Sequence, residues 1–72
     1  MTFRFNVFGK RMSVSRVEAH WQLFNDSDTG MRARVYDVVI PPELDESELA
    51  RYLDDIYHER SSEAHPRVIL LD

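Results

Sequence analysis

The sequence predicts an α+β fold: an antiparallel β-meander of four strands packed on one C-terminal amphipathic helix, with a last apolar run able to add a short fifth strand. Three observations carry that expectation. Apolar residues alternate with polar ones along the N-terminal stretch and break at Gly9. A capped apolar stripe at helical spacing follows Pro41-Pro42. The 72 residues read as a single domain, 1–72, too short for more than a thin core and without a cysteine to staple it.

In the first strand Phe3, Phe5 and Val7 fall on one face, and Arg4, Asn6 and Phe8 on the other. Gly9-Lys10 reads as a two-residue type II′ turn, because glycine adopts the positive φ of the first central position without strain. That turn pairs Val7 with Met12 and Phe5 with Val14 on the apolar face, and Asn6 with Ser13 and Arg4 with Ser15 on the polar one. Residues 16–20 form a short connection without a decisive turn signal. A third strand follows over 20–24, with Trp21 and Leu23 inward and Gln22 outward. Residues 25–30 form a polar loop. A fourth strand over 31–40 turns Ala33 and Val35 inward, and Arg32, Arg34 and Tyr36 outward. Val38 and Ile40 then have the wrong parity, which calls for a bulge near Asp37 or for the chain to leave the sheet there. Pro41-Pro42 ends the strand by removing two backbone donors.

The helix start has the strongest local signature. Asp45 serves as N-cap, Glu48 completes a capping box, and Leu44 is placed to staple onto Leu49. Leu49, Leu53 and Ile56, flanked by Tyr52 and Tyr57, form the apolar stripe, and the helix ends near Ser61-Ser62. After His65-Pro66, residues 68–71 are too apolar for a loose tail. They suit a strand on the sheet edge or a contact with a neighbouring subunit.

Chemistry is sparse. Asp26-Ser27-Asp28-Thr29-Gly30 alternates oxygens as a calcium loop does, but EF-hand spacing would put Tyr36 where a bidentate carboxylate belongs, so it reads as a hairpin loop. Asp54, Asp55 and His58 share a helix face, too few ligands for a zinc site, and no metal or cofactor is expected. No nucleophile elbow and no glycine-rich phosphate loop is present, so an enzyme is not expected and no catalytic residue is assigned.

Net charge is −4 but unevenly placed. Residues 1–40 carry six cationic side chains against four carboxylates, and residues 41–72 three arginines against nine carboxylates. Such asymmetry marks either a partner surface or, the preferred reading, an acidic solvated helix beside a mildly basic sheet. The outward sheet face, with Arg4, Phe8, Arg11, Arg32, Arg34 and Tyr36, is the candidate binding surface. Arginines with aromatics suit a protein interface, and the net acidity places single-stranded nucleic acid second. Val68, Ile69, Leu70 and Leu71 are the candidate assembly residues of a homodimer. The lack of a secretory signal, of cysteines and of a run of about 20 apolar residues predicts a cytoplasmic protein with no membrane partner.

Phe5-Asn6-Val7-Phe8-Gly9, Trp21, Val39-Ile40-Pro41-Pro42 and Tyr52-Leu53-Asp54-Asp55-Ile56-Tyr57-His58-Glu59, followed by His65-Pro66, carry a resemblance across nearly the whole chain. The sequence resembles a family of short bacterial proteins catalogued as a domain of unknown function. The resemblance implies a stand-alone, bacterial, cytoplasmic domain, and it supplies no catalytic residues. The functional expectation is a non-catalytic protein-interaction or assembly module, with nucleic-acid binding on the sheet face as the alternative.

Overall fold

A computed structural model describes residues 2–27, 30–61, 63–64 and 66–71. Strands β1 (Thr2–Val7), β2 (Lys10–Val17), β3 (His20–Asp26) and β4 (Arg32–Arg34) form an antiparallel meander, and β5 (Ile69–Leu70) pairs with β1, giving the order β4-β3-β2-β1-β5. Helix α1 (Leu49–Tyr57) is preceded by a 3-10 turn at Glu46–Glu48 and followed by one at His58–Arg60. The inward residues Phe5, Val7, Met12, Val14 and Leu23 cluster with Leu49 and Leu53 of α1, with Ile40, and with Val68. Burying each such aliphatic or aromatic side chain contributes about 1.5–3 kcal/mol, which makes this cluster the main source of stability.

The first turn differs from expectation. Phe8 and Gly9, not Gly9 and Lys10, occupy it, with φ of 51° and 93°. Two positive φ values are the signature of a type I′ turn, which matches strand twist. Asn6 Oδ1 accepts from Gly9 N–H at 2.7 Å and helps close it. The register therefore pairs Phe5 with Met12 and Phe3 with Val14. It is displaced by two residues from the expected one, and a shift of two leaves every side chain on its face. Phe8 is the exception. As a turn residue it leaves the outward face and is buried in the core at 9% exposure.

The expected connection over 16–20 shrinks to a second tight turn at Glu18 and Ala19, with φ of 49° and 67°, while Arg16, Val17 and His20 belong to the strands. Neither residue type announces such a turn. Asn25 and Asp26, expected in a loop, extend β3 instead. The fourth strand is shorter than expected. After Arg34, Val35 N–H still reaches Leu23 O at 2.9 Å, and the chain then leaves the sheet. Ile40 enters the core by that route and not through a bulge. Ala33, expected inward, is exposed at the sheet end.

Residues 35–45 are pinned from three directions. Tyr52 O–H donates to Val39 O at 3.0 Å, Arg16 Nη1 to Pro42 O at 2.7 Å, and Trp21 Nε1–H to Leu44 O at 2.9 Å. A turn closed by Leu44 N–H to Pro41 O places Pro42 at the position where its fixed φ fits. The capping box forms as expected: Asp45 accepts from the turn that follows, and Glu48 reaches back to Asp45 N–H. Regular α-helix stops at Tyr57, the 3-10 turn carries the helical path on to Arg60, and the backbone is extended at Ser61, where the helix was expected to end. The loop positions Asp28 and Thr29, the helix-end position Ser62, and His65 lie outside the described residues.

Candidate functional site

The register aligns the outward residues of the sheet in rows. Thr2 stands beside Ser15 and Gln22, and Arg4 beside Ser13, Phe24 and Arg34. Asn6 stands beside Arg11, and Asp26 beside Arg32. Short hydroxyl side chains thus occupy the middle of the face and long cationic ones surround them. The result is a cleft of about 340 Å³ lined by Arg4, Arg11, Ser13, Asp26, Met31 and Arg32, among others.

Ser13 and Ser15 are buried although they face away from the core, because Arg32 lies across them. Arg32 Nη2 donates to both serine hydroxyls at 3.2 Å, and its Nε is 3.6 Å from Asp26 Oδ1. Ser13 O–H donates to the same Asp26 oxygen at 3.0 Å, and Thr2 Oγ1 and Ser15 Oγ are 3.0 Å apart. The guanidinium carbon of Arg32 stands 3.9 Å from the centre of the Phe24 ring. This cationic plane is held on one side by hydroxyls and a carboxylate, and on the other by an aromatic face.

Of the six residues expected on the binding surface, Arg4, Arg11 and Arg32 come together in the cleft. Arg34 instead stands over the Tyr36 ring at 5.1 Å, and Tyr36 lies past the end of β4 with 78% of its surface exposed. Phe8 is in the core. The face therefore gathers arginines without the aromatic platform the sequence placed beside them, since the Phe24 ring carries Arg32. Ser13 and Ser15 were expected on the outward face but not among its binding residues, and Thr2 and Asp26 were not expected to take part. Ser13 and Ser15 carried a usable signal, two small polar residues alternating on the face that also bears the arginines.

The four C-terminal residues divide. Val68 is in the core, and its N–H donates to Asp54 Oδ2 at 3.3 Å. Ile69 and Leu70 form β5, and Leu71 N–H donates to Arg4 O at 2.8 Å. Ile69, Leu70 and Leu71 remain 49, 53 and 52% exposed. Because alternate residues of a strand turn their polar groups to opposite sides, the N–H and C=O of Leu70 point away from β1, to the open edge.

On the helix, His58 Nδ1 is 3.7 Å from Asp54 Oδ1, while the other Asp54 oxygen is the one that holds Val68. No group of three or more metal-ligating side chains occurs among the described residues. The Ser47 hydroxyl and N–H hold the Asp45 carboxyl below its ordinary pKa, against the opposing effect of desolvation. Burial pushes the Tyr57 phenol up. Nearby Asp37 reinforces that shift and Arg60 partly offsets it. Among the described residues no helix is long and apolar enough to cross a membrane.

No curated protein and no solved structure matches the chain. One family model does, along residues 2–72. The chain belongs to the family described as domain of unknown function DUF7661.

Proposed function

We propose that the protein is a non-catalytic, cytoplasmic assembly module that pairs with a second copy of itself along β5. The observation that carries this reading is the contrast between the two sheet edges. The β4 edge bears Arg32 and Arg34, and charged edges resist strand addition. The β5 edge bears Ile69, Leu70 and Leu71, each about half exposed, and directs the Leu70 backbone groups outward. Antiparallel pairing of two β5 edges about a two-fold axis satisfies those groups and brings aliphatic side chains of the two copies side by side on the faces of the joined sheet.

The test is light-scattering mass across a concentration series for the native chain and for a variant carrying Ile69→Lys and Leu71→Lys. Both side chains are half exposed, and Val68 stays in place, so the variant preserves the core. A native dimer that the lysines convert to a monomer is the expected result. A native chain monomeric at every concentration, or a dimer indifferent to the lysines, would sink the reading.

A further inference from the structure

We infer the register in which two copies meet, a step that rests on the proposed association along β5. The two-fold axis passes through Leu70. Leu70 of one copy then faces Leu70 of the second copy, and each Ile69 faces a Leu71.

Backbone polarity limits the choices. Phe5 stands opposite Leu70 and Asn6 opposite Ile69, and Leu71 N–H donates to Arg4 O. Ile69 and Leu71 therefore direct their N–H and C=O groups to β1, and Leu70 directs its own to the open edge. Across an antiparallel pair, residues whose groups point toward the partner strand face one another. A symmetric pairing must then place its axis on a residue and not between two. Ile69, Leu70 and Leu71 are the positions to compare.

An axis at Ile69 would set Leu70 against Val68 of the second copy. Val68 N–H is already given to Asp54 Oδ2 at 3.3 Å, and its side chain is in the core. The same register would set Leu71 against the exposed Arg67. An axis at Leu71 would set Leu70 against Asp72, a leucine beside a carboxylate. The axis at Leu70 pairs aliphatic with aliphatic at all three positions and leaves the Val68 bond intact.

The faces follow from the same register. Leu70 shares the side of Phe5, toward the helix, and Ile69 shares the side of Asn6. Antiparallel edges are related by an axis perpendicular to the sheet, which keeps both helices on one side of it. The two Leu70 side chains meet on that side, and two Ile69–Leu71 pairs form on the other. All three residues are half exposed in the single copy, so each has surface to bury in such a contact.

The experiment is disulfide trapping, for which a chain without cysteine is a clean background. Residues directly opposite lie about 4.5–5.5 Å apart at Cα, within disulfide reach. Residues displaced by two positions lie about 8 Å apart, beyond it. Under mild oxidation Leu70→Cys should cross-link with itself. Ile69→Cys and Leu71→Cys should each fail to do so alone, and a mixture of the two should cross-link. In the unmodified chain, hydrogen exchange of the Leu70 amide should slow roughly tenfold or more between the monomer and dimer concentration ranges. Self-linking of Ile69→Cys or Leu71→Cys, with none by Leu70→Cys, would overturn this register and leave association along β5 standing. A native chain monomeric by light scattering would remove both. So would a dimer in which no position and no mixture cross-links and Leu70 exchange is independent of concentration.

Discussion

Phe8, Glu18 and Ala19 hold a positive φ, a region that costs an L-residue about 1–2 kcal/mol. The three offset that cost differently. Phe8 buries its ring in the core, whereas Glu18 and Ala19 are exposed and gain only the closure of a tight hairpin. Ala19→Gly should therefore stabilise the protein, by about 0.5–1 kcal/mol once the greater freedom of glycine in the unfolded chain is subtracted. Phe8→Gly relieves a similar strain but empties part of the core, and should destabilise by about 2–4 kcal/mol. Urea midpoints of the two variants decide this. If both shift in the same direction, strain is not what distinguishes the sites. The same three residues explain why the turns were hard to read. Sequence rules for hairpins look for glycine or asparagine at left-handed positions. Gly9 supplied one such residue and pulled the expected turn one position too far along the chain. Glu18-Ala19 supplied none, and the sharp turn there is set by the register on either side of it.

Among the elements, the helix was the most legible because its start is encoded locally. Asp45, Glu48, Leu49 and Leu53 lie within nine residues, and each does what its type and spacing predict. The sheet was legible in a different way. Its faces follow from a period of two, so a register shifted by two residues still buried Phe5, Val7, Met12 and Val14. The length of β4 was not legible, since nothing local distinguishes a strand from a segment anchored by Tyr52, Arg16 and Trp21, which are distant in sequence. The cap has a consequence for pH. The Asp45 carboxyl is held below its ordinary pKa by hydrogen bonds from Ser47 and Glu46 that the folded cap fixes in place. A depressed folded pKa means that the ionised form is the one the fold favours. Its contribution is present above the unfolded value of about 3.9 and is lost as pH falls through the folded one. Asp45→Asn keeps a capping oxygen and removes the titration. The stability gap between native and variant protein should narrow as pH is lowered into the acid range, followed by chemical denaturation at several pH values. A gap that does not change with pH would show that the Ser47 contacts do not favour the ionised carboxylate.

For the whole molecule, thinness governs. A domain of this length buries about 60% of the surface its unfolded chain exposes, and its total stability is of the order of 4–10 kcal/mol. In such a molecule a short terminal segment matters in proportion to what it covers. Residues 68–71 were recognisable in sequence as apolar, but the partition among them depends on where β1 ends up. Val68 reaches the core and ties to Asp54, while the next three residues line the edge. The candidate site shows the same division. Three of its arginines were visible from parity alone, whereas the cleft exists because the register sets Ser13 and Ser15 among them. A chain ending at Pro66 therefore does more than lose an assembly edge. It uncovers Phe5 and Val7 on the β1 side, removes Val68 from the core, and leaves Asp54 Oδ2 and Arg4 O without their backbone donors. Val68→Ala alone should cost about 1–2 kcal/mol, the loss of two buried methyl groups. The truncated chain should cost at least twice that, enough to lower its thermal midpoint steeply or abolish a cooperative transition. Circular-dichroism melts of the native, Val68→Ala and truncated chains, taken below the concentration at which any dimer forms, separate the contributions. If truncation costs no more than Val68→Ala, β5 adds nothing to the monomer and matters only between copies. If it costs much more, the strand that presents the assembly edge is also what closes the fold, and variants meant to probe association must keep it.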